Sequence, residues 1–147
     1  MSWHALFSKW MLALRWPLAV LALCSCAWGQ TAQTQGRVIE ILADHDSRFR
    51  IEGQKQPVLK LKAGERITLR INAKKAKNVN RDGAIHGFTL LRVKDRIPVP
   101  GWDFELKPGV QEFHVTAPSE PGEYIAVCTV VCSEEHEGMN MKVVVLP

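Results

Sequence analysis

An all-β fold, an antiparallel Greek-key sandwich or barrel, is predicted by three features of the 147-residue sequence. β-branched and apolar residues recur in short runs that alternate with polar ones, the pattern of strands with one buried face. Turn formers bound the runs, and beyond residue 29 no stretch of about ten residues carries a helical period. About seven such runs in about 110 residues is the size of one sandwich. A composition of 46% hydrophobic and 23% charged residues supports one globular core rather than two.

The chain opens with MSWHALFSKWMLALRWPLAVLALCSCAWG, residues 1–29, in which Lys9 and Arg15 precede an apolar segment from Trp16 to Ala27 and small residues at Ala27 and Gly29. That order predicts a secretory signal peptide and an exported, periplasmic protein. The apolar run after Arg15 is about 12 residues, against the roughly 20 that a spanning helix requires. Two routes to a membrane stay open: lipid attachment at LCSC, where a small residue precedes Cys26, and retention of the segment as an anchor. Cleavage removes His4, Cys24 and Cys26 and leaves Cys128 and Cys132 as the mature thiols. It also takes Lys9 and Arg15 from the 19 basic residues, leaving 17 against 15 acidic, a formal +2. So small a charge selects no class of partner. Residues 30–36, QTAQTQG, are polar and aperiodic and read as a flexible leader to a domain over residues 37–147.

RVIEILA (37–43) and RFRIEG (48–53) are the first predicted strands. In PVLKLKAGERITLRINA (57–73), Val58, Leu59 and Leu61 and then Ile67, Leu69 and Ile71 alternate largely with Lys and Arg about Ala63 and Gly64. This predicts strand, turn, strand with one wet face. NAKKAKNVNRDGA (72–84) lacks apolar period and reads as a long solvated loop leading to the strand AIHGFTLLRV. RIPVPGWDFELKPG (96–109) reads as a second long connection, with Pro98, Pro100 and Pro108 breaking ladders. GVQEFHVTAP, GEYIAVC and MKVVVL complete the set. The basic residues lack the interleaved aromatics of a strand-binding groove, and no nucleic-acid motif is present.

Between the last two strands lies CTVVCSEEHEGM, Cys128 to Met139. One reading is a disulfide in an oxidising compartment, with His136 exposed and Met139 filling the core. The other is a metal site, because Cys132, His136 and Met139 put thiolate, imidazole and thioether within eight residues, donors that select copper. A further ligand must come from elsewhere, and His86, flanked by Ile85 and Phe88, is the candidate. His45 reads as a turn residue. His114 alternates with inward Phe113 and Val115 and so faces solvent. Cys128 shares strand parity with Tyr124 and Ala126, which turns its sulfur inward beside the loop. Two thiolates can bridge two copper ions. No open metal position and no nucleophile with a base is visible, so an enzyme is not expected.

PGEYIAVCTVVCSEEHEGM, with the upstream IHGF, resembles the binuclear copper (CuA) domain of the cupredoxin family, as in cytochrome oxidase subunit II and nitrous-oxide reductase. Those domains carry Cys-x-x-x-Cys-x-x-x-His-x-x-Met, and the likeness spans about residues 84 to 146. It implies a cupredoxin Greek-key sandwich in which Cys128 and Cys132 bridge two coppers. His86 and Met139 would complete one ion; His136 and the backbone carbonyl of Val130 would complete the other. The sequence departs from the oxidase subunits at Val130, where they place a glutamate that reaches a magnesium. No pair of membrane helices is read ahead of the domain, so a free or lightly tethered domain is expected. The stretch before His86 is basic, while Glu134, Glu135 and Glu137 surround His136.

The resulting expectation is an electron carrier that passes single electrons between protein partners, such as a c-type cytochrome and a terminal oxidase or reductase. Two other classes stay open. One is a copper chaperone or sensor that holds Cu(I) through Cys128, Cys132 and Met139, and the other is a metal-free interaction module with a disulfide.

Overall fold

The computed structural model describes residues 36–75 and 77–147; the expected signal segment, and the leader apart from Gly36, lie outside the described residues. Alternating runs form nine strands: β1 (Arg37–Asp44), β2 (Arg48–Arg50), β3 (Val58–Lys62), β4 (Arg66–Ala73), β5 (His86–Arg92), β6 (Pro98–Leu106), β7 (Gly109–Thr116), β8 (Gly122–Val127) and β9 (Asn140–Leu146). They make a four-stranded sheet, ordered β2-β1-β4-β7, and a five-stranded sheet, ordered β3-β9-β8-β5-β6. The result is the predicted all-β sandwich. Among the described residues the helical content is a single 3-10 turn, His136–Gly138.

Period-two alternation sends one side chain in two into the space between the sheets. Ile39, Ile41 and Ala43 of β1, Leu59 and Leu61 of β3, Ile67, Leu69 and Ile71 of β4, and Met141, Val143 and Val145 of β9 are all buried there. Aromatic pairs join the two layers. Phe49 of β2 meets Phe88 of β5 edge-on with centroids 5.1 Å apart, and Phe104 of β6 stacks on Phe113 of β7 at 4.3 Å.

Two expectations are corrected. Leu59, Leu61, Ile67, Leu69 and Ile71 are buried as alternation requires and strand, turn, strand forms, but the all-antiparallel expectation fails, because β3 and β4 join different sheets. β3 pairs in parallel with β9, and β4 in parallel with β1. The Ala63-Gly64 turn, with Gly64 at φ 69°, instead carries the chain from one sheet to the other. Each sheet therefore holds one parallel pair, and the sandwich is not purely antiparallel. Alternation tells which face of a strand is buried, and either sheet offers such a face. The second correction concerns residues 98–106, expected as a connection, which form β6 at the outer edge of the five-stranded sheet. An edge strand leaves one rail of its backbone groups unpaired, so proline is tolerated there. The ladder shifts register between Thr89 and Leu91, where Pro98 stands opposite Leu91 and Gly101 takes φ 78°.

The crossover after β3 is stapled by charge. The Glu65 carboxylate accepts from Arg37 Nε at 3.0 Å, Arg37 Nη2 at 3.3 Å and the Lys62 amide at 2.9 Å, while Arg37 Nη2 also donates to the Lys60 carbonyl at 2.8 Å. The start of β1, the end of β3 and the start of β4 are thereby joined. The Arg37 guanidinium, then the Lys62 amide, hold the Glu65 carboxyl below its ordinary range.

A second close contact shapes one pole. On Gly87, next to the first residue of β5, a Cβ would stand 2.4 Å from Thr129 Oγ1, 2.8 Å from Thr129 N and 3.2 Å from Val130 N. Only a residue without a side chain lets the segment after β8 lie against β5 here.

Two outcomes are expected. Gly87→Ala lowers unfolding free energy by about 2–3 kcal/mol in chemical denaturation, because the obstructing atoms include backbone. Glu65→Gln costs about 1 kcal/mol at pH 7. Its carboxyl is depressed in the folded state, so the contribution is present above the unfolded value near 4.5 and is lost as pH falls through the folded value. The difference between wild type and Glu65→Gln in denaturant titrations should therefore vanish in strong acid.

Candidate metal centre

β5 and β8 are neighbours in the five-stranded sheet, with Thr89 opposite Val127. That register brings the start of β5, His86, to the same pole as the segment leaving β8, Cys128. From Cys128 the chain makes a compact excursion and returns. The Cys132 amide donates to the Val130 carbonyl at 2.8 Å, the 3-10 turn at His136–Gly138 reverses direction, and the Cys128 amide donates to the Met139 carbonyl at 3.0 Å. Tyr124 anchors the preceding strand by donating from its hydroxyl to the Glu120 carbonyl at 2.8 Å. Cys128, Val130, Cys132 and Met139 are buried and His86 is fully enclosed.

His86, Cys128 and Cys132 each contribute a ligand atom, and the three atoms lie within 4.8 Å of one another. Both cysteines are free thiols with sulfurs 3.7 Å apart, far beyond the about 2.0 Å of a disulfide bond. His86 Nε2 donates to the Lys74 carbonyl at 3.1 Å, and Nδ1 is a buried nitrogen with no partner. Such an orphan ordinarily costs about 1–3 kcal/mol, so its retention beside two thiols points to a ligand. The Nε2 bond also sets the tautomer, leaving the lone pair on Nδ1 free to coordinate.

Burial governs the protonation states. It pushes the His86 imidazole below its ordinary range, which the Lys74 carbonyl offsets only in part. It pushes the Cys128 thiol up to about 11, against hydrogen bonds from Gly87 and with Val130. Neutral imidazole is the form a metal requires; the Cys128 thiol becomes a thiolate readily only when a cation arrives to neutralise it. Two sulfurs and an imidazole form a donor set that suits copper.

Of the six predicted site residues, His86, Cys128 and Cys132 are brought together. Met139 is buried in the same loop. The Val130 carbonyl accepts from the Cys132 amide and, at 3.2 Å, from the Cys128 thiol. His136 stands apart, half-buried, with Nδ1 3.0 Å from the Ser133 carbonyl. His45 lies in the turn after β1 against Asp44, and His114 is exposed on β7 against Thr68, so both stay outside the cluster as expected.

Several residues at the pole carry no ligand signature in the sequence. The Gly87 amide donates to Cys128 Sγ at 3.3 Å. The loop before His86, expected as solvated, is exposed in its Lys74, Lys75 and Lys77 side chains, yet its backbone serves the centre. Lys74 supplies the carbonyl to His86, and the Asn78 amide donates to the Cys132 carbonyl at 3.0 Å. Ser47, from the turn between β1 and β2, reaches Cys132 Sγ at 3.8 Å.

No protein-family model matches the chain, and no curated protein matches it by sequence. Solved structures do. Auracyanin B is similar at 20% identity over 78% of this chain and 92% of its own, with a TM-score of 0.52. The copper protein rusticyanin is similar at 19% identity over 76% of this chain and 80% of its own, with a TM-score of 0.50. A second rusticyanin structure, from Thiobacillus ferrooxidans, gives 18% identity over 76% and 79%, with a TM-score of 0.51. At such identities the likeness is one of fold: the chain is an all-β two-sheet sandwich of the cupredoxin type, bearing a His-Cys-Cys donor cluster at one pole.

Proposed function

We propose that this chain is an exported copper protein that passes single electrons between protein partners through a binuclear, CuA-like centre. The observation that carries the reading is the unpartnered, buried Nδ1 of His86 in a cluster with two free thiols. The copper protein rusticyanin, whose fold this chain shares, supports the choice of metal. Cys128 and Cys132 would bridge the two ions, with His86 and Met139 serving one, and His136 and the Val130 carbonyl the other. A second thiol four residues before Cys132, not bonded to it, supports two ions over one.

Bound copper supplies the one-electron couple. The chain supplies everything else: it holds the donors on adjacent strands, excludes water through Ile85, Phe88 and Met139, and keeps the Nδ1 lone pair free through the Lys74 carbonyl. Donors fixed before the metal arrives have little to rearrange when an electron comes or goes. Electrons would enter and leave near His136, the half-buried member of the set, toward a partner such as a c-type cytochrome or a terminal oxidase or reductase. The rim there mixes charges. Glu134, Glu135 and Glu137 are exposed, and the Glu135 carboxyl is held low by its own amide, by the Ser133 hydroxyl and, third, by Lys77. Local contacts rather than a net field would therefore select the partner.

One feature favours a second reading. His136 bonds to the Ser133 carbonyl outside the cluster, and a set of His86, Cys128 and Cys132 alone suits a chaperone that carries Cu(I).

The full chain loaded with copper is expected to give an EPR hyperfine pattern from two equivalent nuclei, and Cys128→Ser a pattern from one. A one-nucleus pattern in the wild type rejects the binuclear centre, and rapid loss of copper to an apo acceptor favours the chaperone. His86→Ala is expected to lower copper affinity by more than about 100-fold in chelator competition, since even residues supporting a ligand cost 10–100-fold.

A further inference from the structure

Ser47 stands in the turn between β1 and β2, in the sheet opposite the one that carries the cluster. Its φ is 57°, in the left-handed region that favours glycine, and its amide donates to the Asp44 carbonyl at 3.1 Å. A serine there is strained by about 1–2 kcal/mol, and an exposed turn would need no hydroxyl. This hydroxyl is not exposed: Ser47 keeps 4% of its surface. Its Oγ lies 2.7 Å from Ser133 Oγ and 3.8 Å from Cys132 Sγ. Ser133 is buried as well, and its Oγ accepts the Glu135 amide at 3.1 Å.

The direction of this chain of bonds follows from counting protons. An amide can only donate, so Glu135 N–H gives to Ser133 Oγ. A metal-bound Cys132 is a thiolate, which can only accept. Ser47 then gives its single proton to Cys132 Sγ, which draws the Ser133 proton from the Glu135 carboxylate to Ser47 Oγ. Each hydroxyl donates once, and the run of donors is anchored on a backbone amide whose orientation is set by the turn at 133–138. In the metal-free thiol the last bond can reverse, with Cys132 donating to Ser47, and the positions of the heavy atoms are unchanged.

We propose that Ser47 is a positioning residue for Cys132, its hydroxyl donating to the metal-bound sulfur and adjusting how readily the centre accepts an electron. This rests on the copper reading above. The positive end of the O–H dipole beside the sulfur favours the electron-richer state, so Ser47 raises the reduction potential. Cys128 has its own donor in the Gly87 amide. The two sulfurs are thus steadied from different sheets, Cys128 by β5 and Cys132 by the turn after β1.

The test uses the full chain, wild type, Ser47→Ala and Ser47→Gly, loaded with cupric salt and followed by spectroelectrochemical titration and absorption spectroscopy. Both variants are expected to keep the wild-type copper stoichiometry and to shift the sulfur-to-copper band. Both should lower the potential by about threefold in the reduced-to-oxidised equilibrium, which is about 28 mV at 59 mV per tenfold. Glycine suits φ 57°, so Ser47→Gly gives the answer if Ser47→Ala does not fold. A purely structural role for Ser47 would alter stability and leave the potential in place. A wild type that loads with copper while the folded variants keep its potential and band overturns the inference alone. A wild type that takes up no copper overturns the copper reading and this inference with it.

Discussion

Three potential ligands share one buried space, and the rest of the structure is arranged around that constraint. Cys128, Cys132 and His86 lie within 4.8 Å of one another. Burial disfavours the charged form of the groups it perturbs, raising the Cys128 thiol to about 11 and lowering the His86 imidazole. The Cys128 thiol and the His86 imidazole are therefore neutral, and binding of a cation there would be coupled to thiolate formation and the release of a proton from Cys128. The orphaned Nδ1 of His86 belongs to the same logic.

Holding such a group in place falls mainly to backbone. The Lys74 carbonyl orients His86, the Gly87 amide meets Cys128 Sγ, the Asn78 amide meets the Cys132 carbonyl, and the Cys128 amide closes the loop on Met139. Backbone groups move less than long side chains, so ligands held by them keep their geometry when charge changes. Gly87 makes this possible, because any side chain there would push the Thr129-Val130 backbone away. Across the sandwich, the Phe49–Phe88 contact ties the strand beside the Ser47 turn to the strand that begins at His86, so both sheets contribute to one rigid pole.

Much of this was legible beforehand. Leu59, Leu61, Ile67, Leu69 and Ile71 are buried as alternation required. The spacing of Cys128, Cys132, His136 and Met139 marked the loop as chemical, and the apolar neighbours of His86 marked it as the distant donor. Other features were hidden. Residues 98–106 contain Pro98 and Pro100, which argue against a strand until the strand is known to be at an edge. Residues 58–71 read as strand, turn, strand, and period-two alternation is blind to which of two sheets each strand joins. Lys74 and Asn78 act through atoms that every residue has, so no pattern of side chains could single them out. Ser47 reads as one more polar residue in a turn.

By itself the sequence determined the class of fold, the buried face of most strands and which residues are candidate donors, since these depend on local periodicity and on side-chain chemistry at short spacing. Tertiary structure decided which strands pair, that the crossover at Ala63-Gly64 makes two parallel pairs, and that Ser47 and the 74–78 backbone surround the sulfurs. It also decided that His86 meets the two thiols while His136 turns to Ser133. Most of those outcomes depend on contacts between residues far apart in the chain, for instance Ser47 and Cys132 at a separation of 85. Such distances are set by how the sheets pack, which no local pattern encodes.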